Sequence, residues 1–344
     1  MTADTVGGVW TYALEVAAAL APYGIEVELA TMGRRPDDTQ RAAAARAGVS
    51  TLHESNYHLE WEDEPWTDVA RAGAWLLALA RDVRPDVVHL NGYAHAALRW
   101  PTPVVVAAHS DVLSWWRAVR RTPVPAHLSR YWAAVEAGLR RADAVCAPTQ
   151  AVLDDLRASY AFDTPCFVVP NGRTPTPTDA VDKEPLIVGL GRFWDEAKNV
   201  AALQRVAPRL PWPVLLAGPG TPLGRLAPDE AARLVGRAGI FASPARYEPF
   251  GLAALEAAQA GCALVLGDIP SLREVWGDSA AYVPPEDADA LAATLTDLCL
   301  DEARRAALAA RAGERAARYT PAAMAGGLAA VYQAILPTAA DEAA

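Results

Sequence analysis

Two glutamates eight positions apart form the strongest chemical pattern in the sequence. Glu248 lies in a predicted loop, and Glu256 lies in the alanine-rich helical pattern that follows it. Eight residues of helix span about 12 Å, which fits the separation between the ribose and the sugar hydroxyls of a sugar nucleotide. Between the glutamates, free main-chain amides at Phe250, Gly251 and Leu252 would begin the helix and could bind a diphosphate with help from the helix dipole. An ordinary amphipathic helix with a charge near its N-terminus fits the same spacing.

Two basic residues form a second pattern. Arg192 follows the Gly189-Leu190-Gly191 turn, and Lys198 precedes the next helical stretch. Two fixed cations there would neutralise the charge that develops on a departing diphosphate. Considered without the glutamates, a solvated turn with two surface charges is the favoured interpretation.

Weaker patterns lie in the first half of the chain. Gly7 and Gly8 open the first helical stretch, where a Gly-Gly turn lets a phosphate approach the backbone. His109 ends an apolar strand, and ligand residues of open α/β sheets lie at the carboxyl ends of strands. An acceptor-binding stretch could follow at Trp115, Trp116 and Arg117. This mixture could stack on a sugar or touch anionic lipid headgroups, but it also suits a half-buried helix with solvated arginines.

The elements that would position these residues alternate along the chain. Short β-branched runs and alanine-rich helical patterns predict parallel sheets of the α/β class. Strands are predicted at residues 25–31, 86–90, 103–109, 143–148, 166–170, 186–190, 214–217, 240–243, 263–266 and 281–283. The alternation pauses at residues 173–184, where Thr and Pro predict a linker. We therefore expect two Rossmann-like domains, over residues 1–172 and 185–320, with a ligand cleft between them.

Composition narrows the class of protein. Hydrophobic residues make up 52% and charged residues 21% of the 344 positions, which indicates a globular chain long enough for two domains. The net charge of −10 argues against a nucleic-acid partner. Four widely spaced cysteines show no metal-site spacing. No apolar run reaches the length of a membrane span, so we expect membrane association to be at most peripheral. The sequence lacks the regions of a signal peptide and its cysteines fit reduced thiols, so we expect a cytoplasmic protein.

The ordered set of patterns resembles the family 4 retaining glycosyltransferases of the GT-B fold. The resemblance rests on Gly7-Gly8, His109, Asn171-Gly172, Arg192 with Lys198, the Glu248–Glu256 block and the Gly267-Asp268-Ile269-Pro270 turn. It implies that Arg192 and Lys198 hold the donor phosphates. It further implies that Glu256 binds the ribose and Glu248 the donor sugar, with His109 beside the reacting centre. Finally, it implies that a helix within residues 321–344 packs back on the N-terminal, acceptor-side domain.

The resemblance also implies a reaction. A hexose would move from a UDP- or GDP-sugar to a hydroxyl of a saccharide, lipid-linked or small-molecule glycoside, with retention of configuration. The leaving phosphate would take the acceptor proton. The cationic phosphate site makes a divalent ion unnecessary, so neither a metal nor another cofactor is expected. Two alternatives stay open: a sugar-nucleotide epimerase, and a weakly active sugar-nucleotide-binding protein. A dehydrogenase is not favoured, because the glycines at Gly218, Gly220 and Gly224 lack the spacing of the dinucleotide fingerprint.

The sequence departs from the family at two places. Family members carry a full β-strand before the Gly-Gly loop, but here only Met1–Thr5 precede it. A central strand covered on both faces needs an apolar run that these short, polar residues do not supply. We therefore expect the natural protein to start upstream, with an apolar segment leading into Thr2. The second departure is Arg173, which stands where the family continues with apolar and acidic residues.

Overall fold

Strands and helices alternate along the chain in the computed structural model, which describes residues 1–176, 182–192 and 194–337. The strands are β1 (Thr2–Asp4), β2 (Val27–Met32), β3 (Val49–Glu54), β4 (Val88–Leu90), β5 (Val104–Ala107), β6 (Ala144–Ala147), β7 (Cys166–Val168), β8 (Glu184–Leu190), β9 (Val214–Ala217), β10 (Ala238–Ser243), β11 (Ala263–Gly267) and β12 (Ala281–Val283). The helices are α1 (Gly8–Leu20), α2 (Asp38–Arg46), α3 (Trp66–Val83), α4 (Val112–Val119), α5 (Ser129–Arg141), α6 (Gln150–Ser159), α7 (Val200–Val206), α8 (Pro228–Arg237), α9 (Leu252–Gln259), α10 (Pro270–Trp276), α11 (Ala288–Leu300), α12 (Glu302–Ala316) and α13 (Pro321–Ile335). Every ladder among the described strands is parallel, which confirms the predicted α/β class.

The described residues divide into two compact units. The N-terminal unit takes Met1–Ser114, Thr122–Gly172 and the helix that begins at Pro321. The C-terminal unit takes Trp115–Arg121 and Arg173–Thr320, so Trp115–Arg121 leaves the domain in which the sequence placed it. Residues 177–181 of the predicted linker and residues 338–344 of the predicted returning segment lie outside the described part of the chain.

The C-terminal unit is built on a five-stranded sheet in the order β12-β11-β10-β8-β9. Successive side chains of a strand point to opposite faces, and Phe241 and Ile240 of β10 accordingly join separate apolar clusters. In the ladder between β8 and β10, Ile187 lies opposite Ile240 and Val188 opposite Phe241. Because these neighbouring strands are parallel, the loops that follow them leave the same edge of the sheet side by side.

The N-terminal unit holds a three-stranded sheet, β1-β2-β3, and a four-stranded sheet, β4-β5-β6-β7. Strands β5 and β6 are buried along their whole length, as expected for parallel strands covered on both faces. Helix α13 packs against α1 and adds Met324 and Leu328 to the apolar cluster that contains Val16. The end of the described chain is thus part of the core of the unit that contains its beginning.

Thr2–Asp4, just before the Gly7-Gly8 turn, form a three-residue strand, although this segment lacks the apolar run expected of a full central strand. Thr2 lies opposite Ala30 in the ladder with β2. On the other side of Thr2, the Asn91 amide group donates to its carbonyl oxygen at 2.7 Å, and the Asn91 main-chain N–H donates to its hydroxyl at 3.0 Å. A cavity of about 590 Å³ is lined by Met1 and by residues of β2 and β4.

Helix α5 crosses the main chain closely at Gly138. A Cβ atom added there would lie 2.0 Å from the carbonyl oxygen of Tyr93. We expect Gly138→Ala to lower the free energy of unfolding of the N-terminal unit by about 1–3 kcal/mol or more, because backbone must move to admit the methyl group. Urea unfolding followed by circular dichroism measures the effect.

Gly326→Ala is the matched control, since Gly326 is also inside a helix of the same unit. Its added Cβ would approach only the hydroxyl of the exposed Tyr23, at 3.1 Å. Alanine is the better helix former by about 1 kcal/mol, so this variant should be as stable as the wild type or more stable. Equal destabilisation of both variants would contradict the close crossing at Gly138.

Candidate functional site

The turn after β8 is folded around Asp195. The Asp195 carboxylate accepts a hydrogen bond from the Ala197 N–H at 3.0 Å, and its second oxygen lies 3.6 Å from the Arg192 guanidinium. The Asp195 N–H donates to the Arg192 carbonyl at 3.0 Å. These contacts fix the loop that carries Arg192, and they give this predicted phosphate-binding cation a carboxylate neighbour.

Asn199 anchors the end of this turn to the neighbouring loops. Its buried side-chain amide donates to the carbonyl oxygens of Pro244 and Pro285, at 2.9 and 2.7 Å. Its backbone has a positive φ of 51°, which lets the chain turn sharply into α7. The chain geometry at Asn199 therefore sets the position of Lys198, and sequence reasoning had not singled this residue out.

Lys198 and Glu248, which belong to separate sequence patterns, form an ion pair. Lys198 Nζ lies 2.6 Å from Glu248 Oε2, and both side chains are about four-fifths buried, with 18% and 19% exposed. The other carboxylate oxygen, Oε1, accepts from the Gly251 N–H at 3.1 Å. The Ser271 hydroxyl donates to the Glu248 carbonyl at 2.6 Å. Both the side chain and the main chain of Glu248 are therefore held in place.

The start of α9 differs from the expectation of three free amides. The Gly251 N–H is bonded to Glu248, so it is not free. Gly251 precedes the helix with a φ of 91°, a conformation that glycine adopts without strain. Phe250 is buried and its ring packs edge-on against Tyr319, at 5.3 Å between centroids. Phe250 thus anchors the loop in the core, and Leu252 begins the helix half-buried.

Glu256 is paired with a residue that the motifs did not include. Arg173 Nε donates to Glu256 Oε1 at 2.8 Å, with 23% and 34% of the two side chains exposed. The Gln259 side chain donates to the Arg173 carbonyl at 2.9 Å, and the Arg173 N–H donates to the Tyr319 carbonyl at 3.2 Å. The feature of the sequence that singles out Arg173 is its departure from the family pattern, which continues with apolar and acidic residues at this place.

Among the predicted acceptor residues, Trp115 contacts the turn after β8. The Trp115 indole N–H donates to Asp195 Oδ1 at 3.0 Å. The Arg120 guanidinium lies over the rings of Trp115 and Trp116, 5.4 and 5.8 Å from their centroids, and is 2.7 Å from Glu196. Arg117 is exposed. Trp115 and Trp116 are therefore engaged by residues of the C-terminal unit, which the sequence did not predict.

In the N-terminal unit, Gly7 and Gly8 are exposed at the start of α1, and Gly7 has a φ of 84°. Just before this turn the Asp4 carboxylate accepts from the Val6 N–H. A negative side chain this close would repel an anion, so the turn is a weaker phosphate site than the two glycines alone indicate.

His109 follows β5 and is held by two neighbours. Its Nε2 lies 2.7 Å from Asn91 Oδ1, and Tyr12 packs edge-on against the ring at 4.5 Å between centroids. Because the Asn91 amide group donates to Thr2, its oxygen must be the acceptor, so His109 carries its proton on Nε2. Burial lowers the pKa of His109 to about 4, which keeps the ring neutral at physiological pH with Nδ1 as an acceptor.

The described residues contain neither a group of side chains that could hold a metal ion nor a helix that could span a membrane. Within residues 1–176, 182–192 and 194–337, no three His, Cys, Asp or Glu side chains are grouped so as to hold a metal ion. No helix in the same ranges combines the length and the apolar character needed to cross a membrane.

Comparison with known proteins adds family information to this geometry. The model described as Glycosyltransferase Family 4 matches residues 6–176, and that described as Glycosyl transferases group 1 matches residues 221–316. The chain is 30% identical to the D-inositol 3-phosphate glycosyltransferase of Xylanimonas cellulosilytica, over 91% of this chain and 88% of that protein. It is also 30% identical to the phosphatidyl-myo-inositol mannosyltransferase of Mycolicibacterium smegmatis, over 43% of this chain and only 45% of that protein.

A solved structure supports the fold. HepE from Anabaena, in complex with UDP-glucose, superposes with a TM-score of 0.73 and 17% identity, over 97% of this chain and 100% of that one. A likeness at this identity shows the fold alone. It confirms the predicted GT-B class, with two Rossmann-like domains.

The neutral state of His109 can be tested by nitrogen NMR. We expect the imidazole to stay neutral, with its proton on Nε2, from pH 8 down to about pH 5, because its pKa in the folded protein is about 4. As the pH falls from 6.5 towards 4, His109 binds a proton in the unfolded chain but not in the folded protein. The free energy of unfolding therefore falls over that range. Asn91→Ala, which removes the acceptor, should weaken the Nε2 preference. A titration midpoint near pH 6.5 for His109 would contradict the assignment.

Proposed function

This chain belongs to family 4 of the glycosyltransferases, and we propose that it transfers a hexose from a UDP- or GDP-sugar to a hydroxyl acceptor with retention of configuration. The observation that carries the proposal is the Lys198–Glu248 pair next to the start of α9. It joins a cation suited to a diphosphate with a carboxylate suited to sugar hydroxyls. The relatives named above, which act as glycosyl- and mannosyltransferases by name, and the UDP-glucose complex of HepE support the choice of donor class.

The donor phosphates would be bound by Lys198 and Arg192. Each of these cations lies beside a carboxylate, Lys198 beside Glu248 and Arg192 beside Asp195, so the charges of the protein side chains compensate one another. A diphosphate would share the Lys198 ammonium with Glu248, since an ammonium group has three donors. The start of α9 adds the positive end of a helix dipole.

Glu248 would accept hydrogen bonds from hydroxyls of the donor sugar. Its carboxylate is oriented by Lys198 and the Gly251 N–H, but these use only part of its acceptor capacity. A carboxylate fixed in this way discriminates between sugars by where their hydroxyls lie, which assigns Glu248 a role in donor choice as well as in turnover.

The chemical step needs no carboxylate nucleophile in this proposal. The bond between the anomeric carbon and the phosphate oxygen breaks, and negative charge grows on the leaving diphosphate. Lys198 and Arg192 stabilise that charge. The acceptor oxygen attacks the same face of the sugar, and its proton passes to the leaving phosphate. His109, neutral with Nδ1 as an acceptor, suits a hydrogen bond from a sugar hydroxyl rather than contact with a phosphate.

A donor and acceptor screen tests the function. Purified protein is incubated with UDP-glucose, UDP-galactose, UDP-N-acetylglucosamine or GDP-mannose, with and without saccharide, inositol-phosphate and lipid-linked acceptors. We expect nucleoside diphosphate to be released mainly when an acceptor is present, and the product to keep the α configuration in its proton couplings. Interconversion of donors without an acceptor would favour the epimerase instead. Binding without turnover across the panel would favour a binding protein.

Lys198→Ala should lower kcat by at least about 10²-fold, because the charge that Lys198 stabilises is largest in the transition state. The matched control is Lys183→Ala. Lys183 is in the same unit, and its ammonium donates to the main-chain carbonyls of Gly236 and Ala260. This control should keep kcat within about threefold, since its contacts are structural. Steady-state kinetics on the donor identified by the screen gives both values, and equal losses would remove Lys198 from the site.

Transfer should survive an excess of chelator, because Lys198, Arg192 and the start of α9 provide positive charge for the diphosphate. The measurement is nucleoside-diphosphate release before and after treatment with EDTA, followed by gel filtration. If activity disappears and returns on addition of magnesium or manganese, the metal-independent mechanism is wrong.

A further inference from the structure

Arg173 is fixed to one face of α9 by both its side chain and its main chain. Its Nε donates to Glu256 Oε1 at 2.8 Å, while its carbonyl oxygen accepts from the Gln259 side chain at 2.9 Å. Glu256 and Gln259 are three positions apart, so they are neighbours on the helix surface. The Arg173 N–H is held in turn by the Tyr319 carbonyl at 3.2 Å. Arg173 therefore lies along one turn of the helix with a defined orientation.

The Arg173–Glu256 pair orients the Glu256 carboxylate but contributes little to the stability of the fold. Ion pairs that are exposed to solvent contribute about 0–1 kcal/mol, and roughly a third of the Glu256 side chain is exposed. Its consequence is that one carboxylate oxygen, Oε1, is held by a planar guanidinium whose own backbone is fixed. An ionised carboxylate has about four acceptor positions, so one such bond leaves the group able to accept from two further hydroxyls.

We propose that Arg173 is a positioning residue for nucleotide recognition: it orients the Glu256 carboxylate so that this group accepts both hydroxyls of the ribose. The inference rests on the proposed function, because it takes a nucleoside diphosphate as the ligand. It assigns a role to a side chain outside the sequence motifs. The ribose diol is the chemical feature selected, since two adjacent neutral donors match a carboxylate that Arg173 orients through Oε1.

Other roles of Arg173 predict other effects of its removal on nucleotide binding. If Arg173 merely occupied Glu256 and competed with the ribose, its removal would tighten nucleotide binding. If the pair only attached residue 173 to the helix, its removal would weaken every ligand alike. If Arg173 instead orients the carboxylate, its removal should reduce only the part of the binding affinity that the ribose hydroxyls contribute.

Calorimetry with paired nucleotides separates these cases. UDP and GDP are first tested with the full wild-type chain, and the one that binds is compared with its 2′,3′-dideoxy form. The ratio of the two Kd values measures what the hydroxyls contribute. Because both ligands are measured with the same protein sample, the ratio of the Kd values does not depend on the folded fraction of each variant.

The wild type should bind the ribonucleotide at least about tenfold more tightly than the dideoxy form, as expected for hydrogen bonds to a charged acceptor. In Arg173→Ala the ratio should fall to about threefold or less, and Arg173→Lys should restore part of it. Glu256→Gln should also reduce the ratio, since the amide replaces the carboxylate. Arg209→Ala is the matched control, because it removes an exposed Arg–Asp pair of the same unit, Arg209 with Asp289, and should leave the ratio unchanged.

A ratio in Arg173→Ala equal to that of the wild type would overturn the role of Arg173 while leaving the proposed function intact. A tighter ribonucleotide complex in that variant would overturn it in favour of competition. If neither UDP nor GDP binds the wild type, the proposed function fails and the role of Arg173 fails with it.

Discussion

The candidate site depends on the pairing of β8 with β10. These strands lie side by side and run parallel, so the loops after them leave the sheet at one edge as neighbours. Lys198 belongs to the first loop and Glu248 to the second, fifty residues later in the chain, yet they meet at 2.6 Å. Asn199 strengthens the arrangement by donating to the Pro244 carbonyl of the second loop. Without this strand order, the cation and the carboxylate would have no common location.

Charge compensation is the second constraint on this region. Each cation expected or proposed to take part in donor binding has a carboxylate neighbour: Arg192 with Asp195, Lys198 with Glu248, and Arg173 with Glu256. Removing charges from water is costly unless they are paired, and these side chains are partly buried. A donor diphosphate would therefore enter by sharing existing partners. In the proposed function, this sharing would favour ligands that carry both anionic and hydroxyl groups at the right spacing.

The N-terminal unit provides a different environment. His109 is kept neutral by burial, and its protonated nitrogen is directed by Asn91, whose own amide is fixed by the short strand β1. A three-residue strand thus orients a predicted site residue through one intermediate side chain. The polar character of Thr2, which argued against a strand in the sequence, is what allows its hydroxyl to accept the Asn91 N–H.

The sequence by itself determined the α/β class and most strands of the C-terminal unit, because apolar runs of buried parallel strands are distinct from their surroundings. It did not reveal α2, where only Ala44 is buried, or β3, a half-exposed edge strand, since neither has a strong hydrophobic pattern. The motifs identified Lys198, Glu248 and Glu256 as candidates, but not their partners. Only the tertiary structure joined Lys198 to Glu248 and Arg173 to Glu256, because contacts between distant segments follow from strand order and helix packing, which local spacing does not encode.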